Sequence, residues 1–425
     1  MKKSDPRYIN YLEVLNEELI PAMGCTEPVA LAFAAAKARE VLEKPPEKAL
    51  VEISGNIIKN VKSVVVPNTG GLKGIKAAVA AGIVAGNSEK KLEAIAVVSA
   101  EQQREIIAFL EKAPIEVKIA DTERVLEIIV TLYSGESRAK VRIINTHTNI
   151  VSIEKDGKIL FKAEEKPESS AQTDRTMLDI QDIVDFADTV IIDDVRAVIE
   201  RQIDYNSAIS TEGLAGNYGA NIGKVIRKSY TDDIRVRARA AAAAGSDARM
   251  SGCSMPVIIL SGSGNQGITA SLPVIEFAAY LVKSREELIR ALVLSDLITI
   301  HLKTGIGRLS AYCGVVCAGA AAGAAIAYLR GGRLEEVSHT LVNALAITSG
   351  IVCDGAKPSC AGKIAAAVEA GILGCEMFRN GQQFYGGDGI IAKGVEKTIQ
   401  NISRLGREGM RKTDKEIIQI MLGEE

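Results

Sequence analysis

The chain has 425 residues, of which 47% are hydrophobic and 24% charged, with a formal net charge of -2. That balance describes a folded globular chain with room for two cored domains and gives no sign of disorder. Near-neutral, interspersed charge offers no attraction for nucleic acid or for an anionic membrane surface, so a small molecule is the expected partner.

The first 25 residues begin basic but meet Asp5, Pro6, Glu13, Glu17 and Glu18, so they lack the unbroken apolar core of a signal peptide, and a cytoplasmic location is expected. Seven cysteines, at 25, 253, 313, 317, 353, 360 and 375, then read as reduced thiols or metal ligands rather than a disulfide framework. Periodicity predicts an amphipathic helix over 8–20, broken at Pro21. A loop Met23-Gly24-Cys25-Thr26-Glu27-Pro28 leads into an Ala-rich helix ending near Leu42. There Cys25 precedes a helix N-terminus, where the dipole favours a thiolate, although a small buried residue explains it equally well.

After Pro45-Pro46 the pattern predicts strands at 49–53 and 61–66, a helix over 73–85, a strand at 91–99, a helix over 100–112 and a strand at 115–120. Two hairpins follow. Residues 126–132 and 139–144 flank Ser134-Gly135, and 150–153 pairs with 159–161 across Asp156-Gly157. The polar stretch 163–176 reads as a linker, which gives two domains: 1–175, N-terminal helices with a mixed α/β unit, and 176–425, all-α. In the second, helical periods cover 179–204, 217–229, 231–243, 268–283, 285–301, 312–330, 334–347, 361–373 and 392–422. The expected class is α+β, a mixed α/β domain followed by a compact all-helical one. Tyr312–Leu329 carries no charge, but it is mostly Ala and Gly and is flanked by Arg308, Arg330 and Arg333. It reads as a helix packed closely on others, not as a membrane span. Such helices also suit a homo-oligomer.

Candidate chemistry centres on cysteine. Cys353 and Cys360 bracket Asp354, Gly355 and Pro358, a turn that can aim both sulfurs at one point. Cys313, beside a glycine at the start of a helix, is favoured over Cys317 as a third thiolate. Three thiolates on a four-iron cluster leave one iron open to a substrate. A second feature, Ser261-Gly262-Ser263-Gly264-Asn265-Gln266-Gly267, stands directly before an apolar helix. Its N–H groups and the donors of Ser261, Ser263, Asn265 and Gln266 suit a carboxylate. Asn68-Thr69-Gly70-Gly71 also precedes a helix and could reach the same ligand, or could serve only as a cap. Of three histidines, His147 and His339 read as surface residues, whereas His301 and Lys303 precede the cysteine helix and are candidate bases. No GxSxG elbow and no phosphate cup beside a lysine stands out.

Four blocks, GCTEP (24–28), SGSGNQGI (261–268), IGRLSAYCG (306–314) and CDGAKPSC (353–360), together resemble the L-cysteine desulfidase family, which is related to the alpha chain of iron-sulfur L-serine dehydratases. The resemblance spans nearly the whole chain. It implies a pyridoxal-independent lyase with a [4Fe-4S] cluster on Cys313, Cys353 and Cys360, and with substrate held by the SGSGNQG loop. β-Elimination from L-cysteine is the expected reaction; the resemblance assigns no base, and Cys25, His301 and Lys303 are the candidates. L-Serine dehydration is the nearest alternative, and a noncatalytic metal-binding or redox-sensing protein is another.

Overall fold

The computed structural model describes residues 1–163 and 173–423. In chain order the first part comprises α1 (Pro6–Glu18), β1 (Pro21–Met23), α2 (Thr26–Leu42), β2 (Lys48–Ile53), α3 (Gly55–Val61), α4 (Gly74–Ala85), α5 (Ala100–Lys112), β3 (Ile115–Ile119), β4 (Glu127–Ser134), β5 (Ser137–Ile144), β6 (Ile150–Lys155) and β7 (Lys158–Lys162). Helices then dominate: α6 (Ile180–Thr189), α7 (Ile192–Ala215), α8 (Ile222–Ser229) and α9 (Ile234–Met250). A short β8 (Pro256–Ile258) precedes α10 (Gly264–Tyr280), α11 (Arg285–Ile306), α12 (Gly314–Leu329), α13 (Leu334–Ile347), α14 (Cys360–Arg379), α15 (Val395–Arg404) and α16 (Arg411–Leu422). This is the expected α+β arrangement, 59% helix and 12% strand.

The main sheet has the order β3-β2-β4-β5-β6-β7, parallel between β2 and β3 and antiparallel elsewhere. Alternation along β2 and β4 turns Ala49, Val51, Ile53, Ile128, Val130 and Leu132 inward, where they share a core with α2 and α4. Both expected hairpins form. Asp156 (φ 51°) and Gly157 (φ 83°) take the left-handed backbone that a two-residue hairpin turn requires.

Two expected strands do not form. Residues 61–66 finish α3 and continue as a loop whose Val64 and Val66 are buried; only Val65 makes an isolated bridge, to Lys73. Residues 91–99 leave a 3-10 turn (Ser88–Glu93) and run irregularly. In each run part of the apolar set (Val61, Val64 and Val66; Leu92, Ala94 and Ile95) is buried without a sheet, while Val97 is exposed. Expected helices also divide: 179–204 is α6 and α7, and 392–422 is α15 and α16 joined by a π turn (Leu405–Gly409). The expected linker at 163–176 lies mostly outside the described residues.

A second core joins the helices, and α1 belongs to it through Tyr8, Tyr11, Val14, Leu15 and Leu19. Helix α12 runs through its centre. A Cβ on Gly323 would stand 2.3 Å from the Gly371 carbonyl oxygen of α14, and one on Gly371 would stand 2.1 Å from that of Gly319. The Ala/Gly composition of α12 is therefore a packing requirement, and among the described residues no helix is long and apolar enough to cross a membrane.

Candidate active site

The site is assembled by a clasp invisible to hydropathy, within the helical core. Strands β1 and β8 pair antiparallel, Ala22 opposite Val257, and so carry the GCTEP and SGSGNQG segments to one place. Beyond β8 the chain reverses through Ser261 (φ 47°) and Gly262 (φ 78°), with Leu260 and Ser263 exchanging backbone hydrogen bonds at 3.1 and 3.0 Å. A left-handed serine is uncommon and marks a conformation enforced by its surroundings. Ser263 then begins α10 without capping it by its side chain, leaving the first N–H groups of that helix free of a side-chain partner.

The cysteine segments come together through a second local pairing. Tyr312 and Val352 form an antiparallel bridge, the Cys313 N–H donates to the Ile351 carbonyl at 2.9 Å, and the Cys353 N–H donates to the Ala311 carbonyl at 2.7 Å. Gly355 (φ 96°) turns the chain toward Cys360 at the start of α14; a Cβ there would meet the Lys59 carbonyl at 2.1 Å. Only glycine allows that approach.

One cavity of about 100 Å³ collects these groups. Its wall includes Cys25, Glu27, Lys59, His147, Arg249, Ser261, Ser263, Asn265, Gln266, Lys303, Arg308, Tyr312, Cys313, Cys353 and Cys360. Gly264 is not in that wall; it packs against the Arg249 side chain. Cys317 is fully buried one turn into α12, and it too is outside the wall. Three other candidates lie elsewhere. His301 Nε2 is 2.9 Å from Glu396 on another face, Asn68 donates to the Ile95 and Ala96 carbonyls, and Thr69 donates to the Val66 carbonyl at 2.8 Å.

Charge in the cavity is unevenly satisfied. Glu27 accepts from Cys25 Sγ (2.9 Å), the Thr26 hydroxyl (3.1 Å) and Asn60 Nδ2 (3.0 Å). Burial raises its carboxyl, but the neighbouring His147 imidazole and the Cys25 thiol outweigh that and bring it to about 2. The Cys25 thiol is instead pushed well up, first by burial and then by the Glu27 charge, so the helix dipole does not make it a thiolate here. Cys353 is drawn down to about 5, first by the hydrogen bond from the Cys313 thiol and then, against burial, by Lys59. Lys303 is nearly inaccessible, and burial lowers its pKa while Cys317, Cys353 and Cys313 pull it back. Lys59 reaches Asp414 of α16 at 2.5 Å, and Arg308 reaches Glu18 at 3.1 Å.

Four side chains of this wall hold buried polar atoms without a hydrogen-bond partner: His147 Nε2, Arg249 Nε, Gln266 Oε1 and the Tyr312 hydroxyl. Native proteins rarely leave such atoms orphaned, and a cluster of them around a cavity marks a place for a ligand. Sequence reading passed over most of this group. His147 is 6% exposed, not a surface residue, and its Nε2 lies 3.8 Å from Glu27. Lys59 and Arg249 sit in helices without a motif, whereas the acidic residue within GCTEP could have pointed to Glu27.

A [4Fe-4S] cluster is the group implied by resemblance, and the donor set suits it: three cysteines from two segments face one cavity, with Lys59 and Lys303 to offset thiolate charge. Among the described residues no three His, Cys, Asp or Glu side chains are drawn close enough to hold a single ion. A cluster takes its thiolates on separate irons.

The serine dehydratase alpha chain family matches residues 89–419. The chain is 60% identical to a UPF0597 protein of Desulfitobacterium hafniense (strain Y51), over all of this chain and 99% of the relative. It is 49% identical to a UPF0597 protein of Lachnoclostridium phytofermentans, over 98% of this chain and all of the relative. To one of Treponema denticola it is 47% identical, over 99% of this chain and all of the relative. With a match over most of its length and relatives similar from end to end, the chain belongs to the serine dehydratase alpha chain family.

Proposed function

We propose that the protein is an iron-sulfur lyase that removes sulfide from L-cysteine by β-elimination, giving pyruvate and ammonia. The observation that carries this reading is the convergence of Cys313, Cys353 and Cys360 with a set of orphaned polar atoms on one cavity. Cys313, Cys353 and Cys360 would hold a [4Fe-4S] cluster, whose one iron without a protein ligand supplies a Lewis acid for the leaving group. A thiolate is the softer ligand for iron, which favours cysteine as the substrate.

The chain's own residues divide the remaining work. The free N–H groups of α10, with Asn265 and Gln266, orient the amino acid. His147 Nε2 has no partner and stands beside an ionised Glu27, which stabilises the imidazolium formed when His147 takes the α proton. Loss of sulfide from Cβ then gives aminoacrylate, which tautomerises to the imine and is hydrolysed by water. Lys59 and Lys303 balance thiolate charge, and Cys25 holds Glu27 by donation.

The family itself favours a second reading, dehydration of L-serine by the same proton removal with water as the leaving group. The test is anaerobic purification, iron counting and pyruvate assay with each amino acid. Iron-loaded protein that yields pyruvate from L-cysteine faster than from L-serine supports the first reading, the reverse ratio supports the second, and no pyruvate from either rejects both.

A further inference from the structure

Arg249 near the end of α9 is 3% exposed and lines the cavity. The other cations of that wall have anionic company: Lys59 has Asp414, Arg308 has Glu18, and Lys303 faces the cysteines. Among the described residues Arg249 has none. Its Nη1 donates to Asn265 Oδ1 at 3.1 Å and lies 3.9 Å from the Met250 sulfur, while Nε has no partner among the described residues. A buried guanidinium is costly unless an anion pairs with it, and a planar fork of donors matches a carboxylate. Gln266, one residue beyond Asn265 in the uncapped first turn of α10, is 4% exposed, and its unpartnered Oε1 is an acceptor that suits the ammonium group of the same ligand.

We propose that Arg249 is the receptor for the carboxylate of the substrate, with Asn265 fixing the guanidinium and the N-terminus of α10 supplying further N–H donors. This rests on the reading of the site as one for an amino acid, and it specifies that the carboxylate is the group Arg249 receives. The restricted substrate class is then a free α-amino acid; an amine lacking the carboxylate is rejected even with the same leaving group.

The experiment compares anaerobically purified wild-type protein with Arg249→Lys and Arg249→Gln. Affinity for L-alanine, which carries the amino-acid head but no leaving group, is measured by calorimetry alongside ethylamine and propionate, and iron content and melting temperature are recorded for each protein. The expected result is that wild type binds L-alanine and propionate but not ethylamine. Arg249→Gln should weaken both carboxylates on the order of 100-fold, and Arg249→Lys, which keeps the charge and fills the site, should fall between them with iron and melting temperature unchanged. Binding of L-alanine within threefold of wild type in both variants overturns the proposal. If propionate binding depends on Arg249 while no amino acid binds or turns over, the carboxylate site stands and the amino-acid reading fails. If wild type binds none of the carboxylates, both fail.

Discussion

The Thr26 hydroxyl lies 3.2 Å from the carbonyl oxygen of Gly262, across 236 residues of sequence. This contact continues the β1/β8 clasp and seats Glu27 against the Ser261-Gly262 turn, so the cavity has one wall from each hydrophobic core. Disturbing either wall should therefore be felt at the site.

Cys313, Cys353 and Cys360 should be separable from Cys317 by substitution. Replacing any of the first three singly by Ser is expected to abolish lyase activity and reduce bound iron after anaerobic reconstitution. Cys317→Ala removes a buried sulfur from α12 and should cost about 1 kcal/mol of stability while leaving iron content intact. Iron counts and visible absorption of the four variants check this. Loss of iron in Cys317→Ala with retention in Cys313→Ser would exchange their roles.

Stability should fall as pH rises through neutrality, because of Asp296. This residue is fully buried in α11, with Gln202 donating to one oxygen at 2.9 Å and the other oxygen unpartnered. Burial pushes its carboxyl up to about 8, against the opposing hydrogen bond from Gln202. An unfolded aspartate ionises near 3.9, so the folded state keeps a proton that the unfolded state has released. The contribution is complete below about pH 4 and is lost toward pH 8 at about 1.4 kcal/mol per pH unit. Urea unfolding at pH 5.5 and 7.5 should show that slope in wild type, and Asp296→Asn, which mimics the protonated form, should lack it.

Asp414→Asn should destabilise more than Lys59→Met. The Lys59 side chain is 1% exposed and its carboxylate partner comes from α16, so removing Asp414 strands a buried cation. A loss of about 3 kcal/mol is expected for Asp414→Asn, with a smaller loss for Lys59→Met and substantial recovery in the double variant. Denaturant titration of the three proteins measures it, and additive losses would show that the two side chains act independently.

Much of the fold was legible because long helices and hairpins carry their own signals. The Asp156-Gly157 turn is local chemistry and fell where expected, whereas the capping box of α5, Ser99 with Gln102, is an equally local signal at the end of a run read as a strand. The failures share one cause. In 61–66 and 91–99 only part of each run (Val61, Val64 and Val66; Leu92, Ala94 and Ile95) is buried, by neighbours distant in sequence, and Asn68 supplies hydrogen bonds to the Ile95 and Ala96 carbonyls that a strand would have found in a sheet. Helix α3 begins Gly55-Asn56, poor helix formers overruled by packing. At the site, the motif loops could be read because glycines and cysteines are unusual residues. Arg249 and Lys59 lie within ordinary helices, and His147 follows a strand end; their significance comes only from what tertiary contact places opposite them.

The clasp also sets a limit on length. Strands β1 and β8 are three residues each, and short paths, Met23 to Cys25 and Ile258 to Ser263, lead from them to the cavity wall. Because a strand advances about 3.3 Å per residue and alternates its faces, one inserted or deleted residue on either path would displace one wall of the cavity from the other and turn its side chains away. These two short paths should tolerate changes of residue but not of spacing, and a variant library of insertions across the chain should show them as two narrow gaps among functional clones.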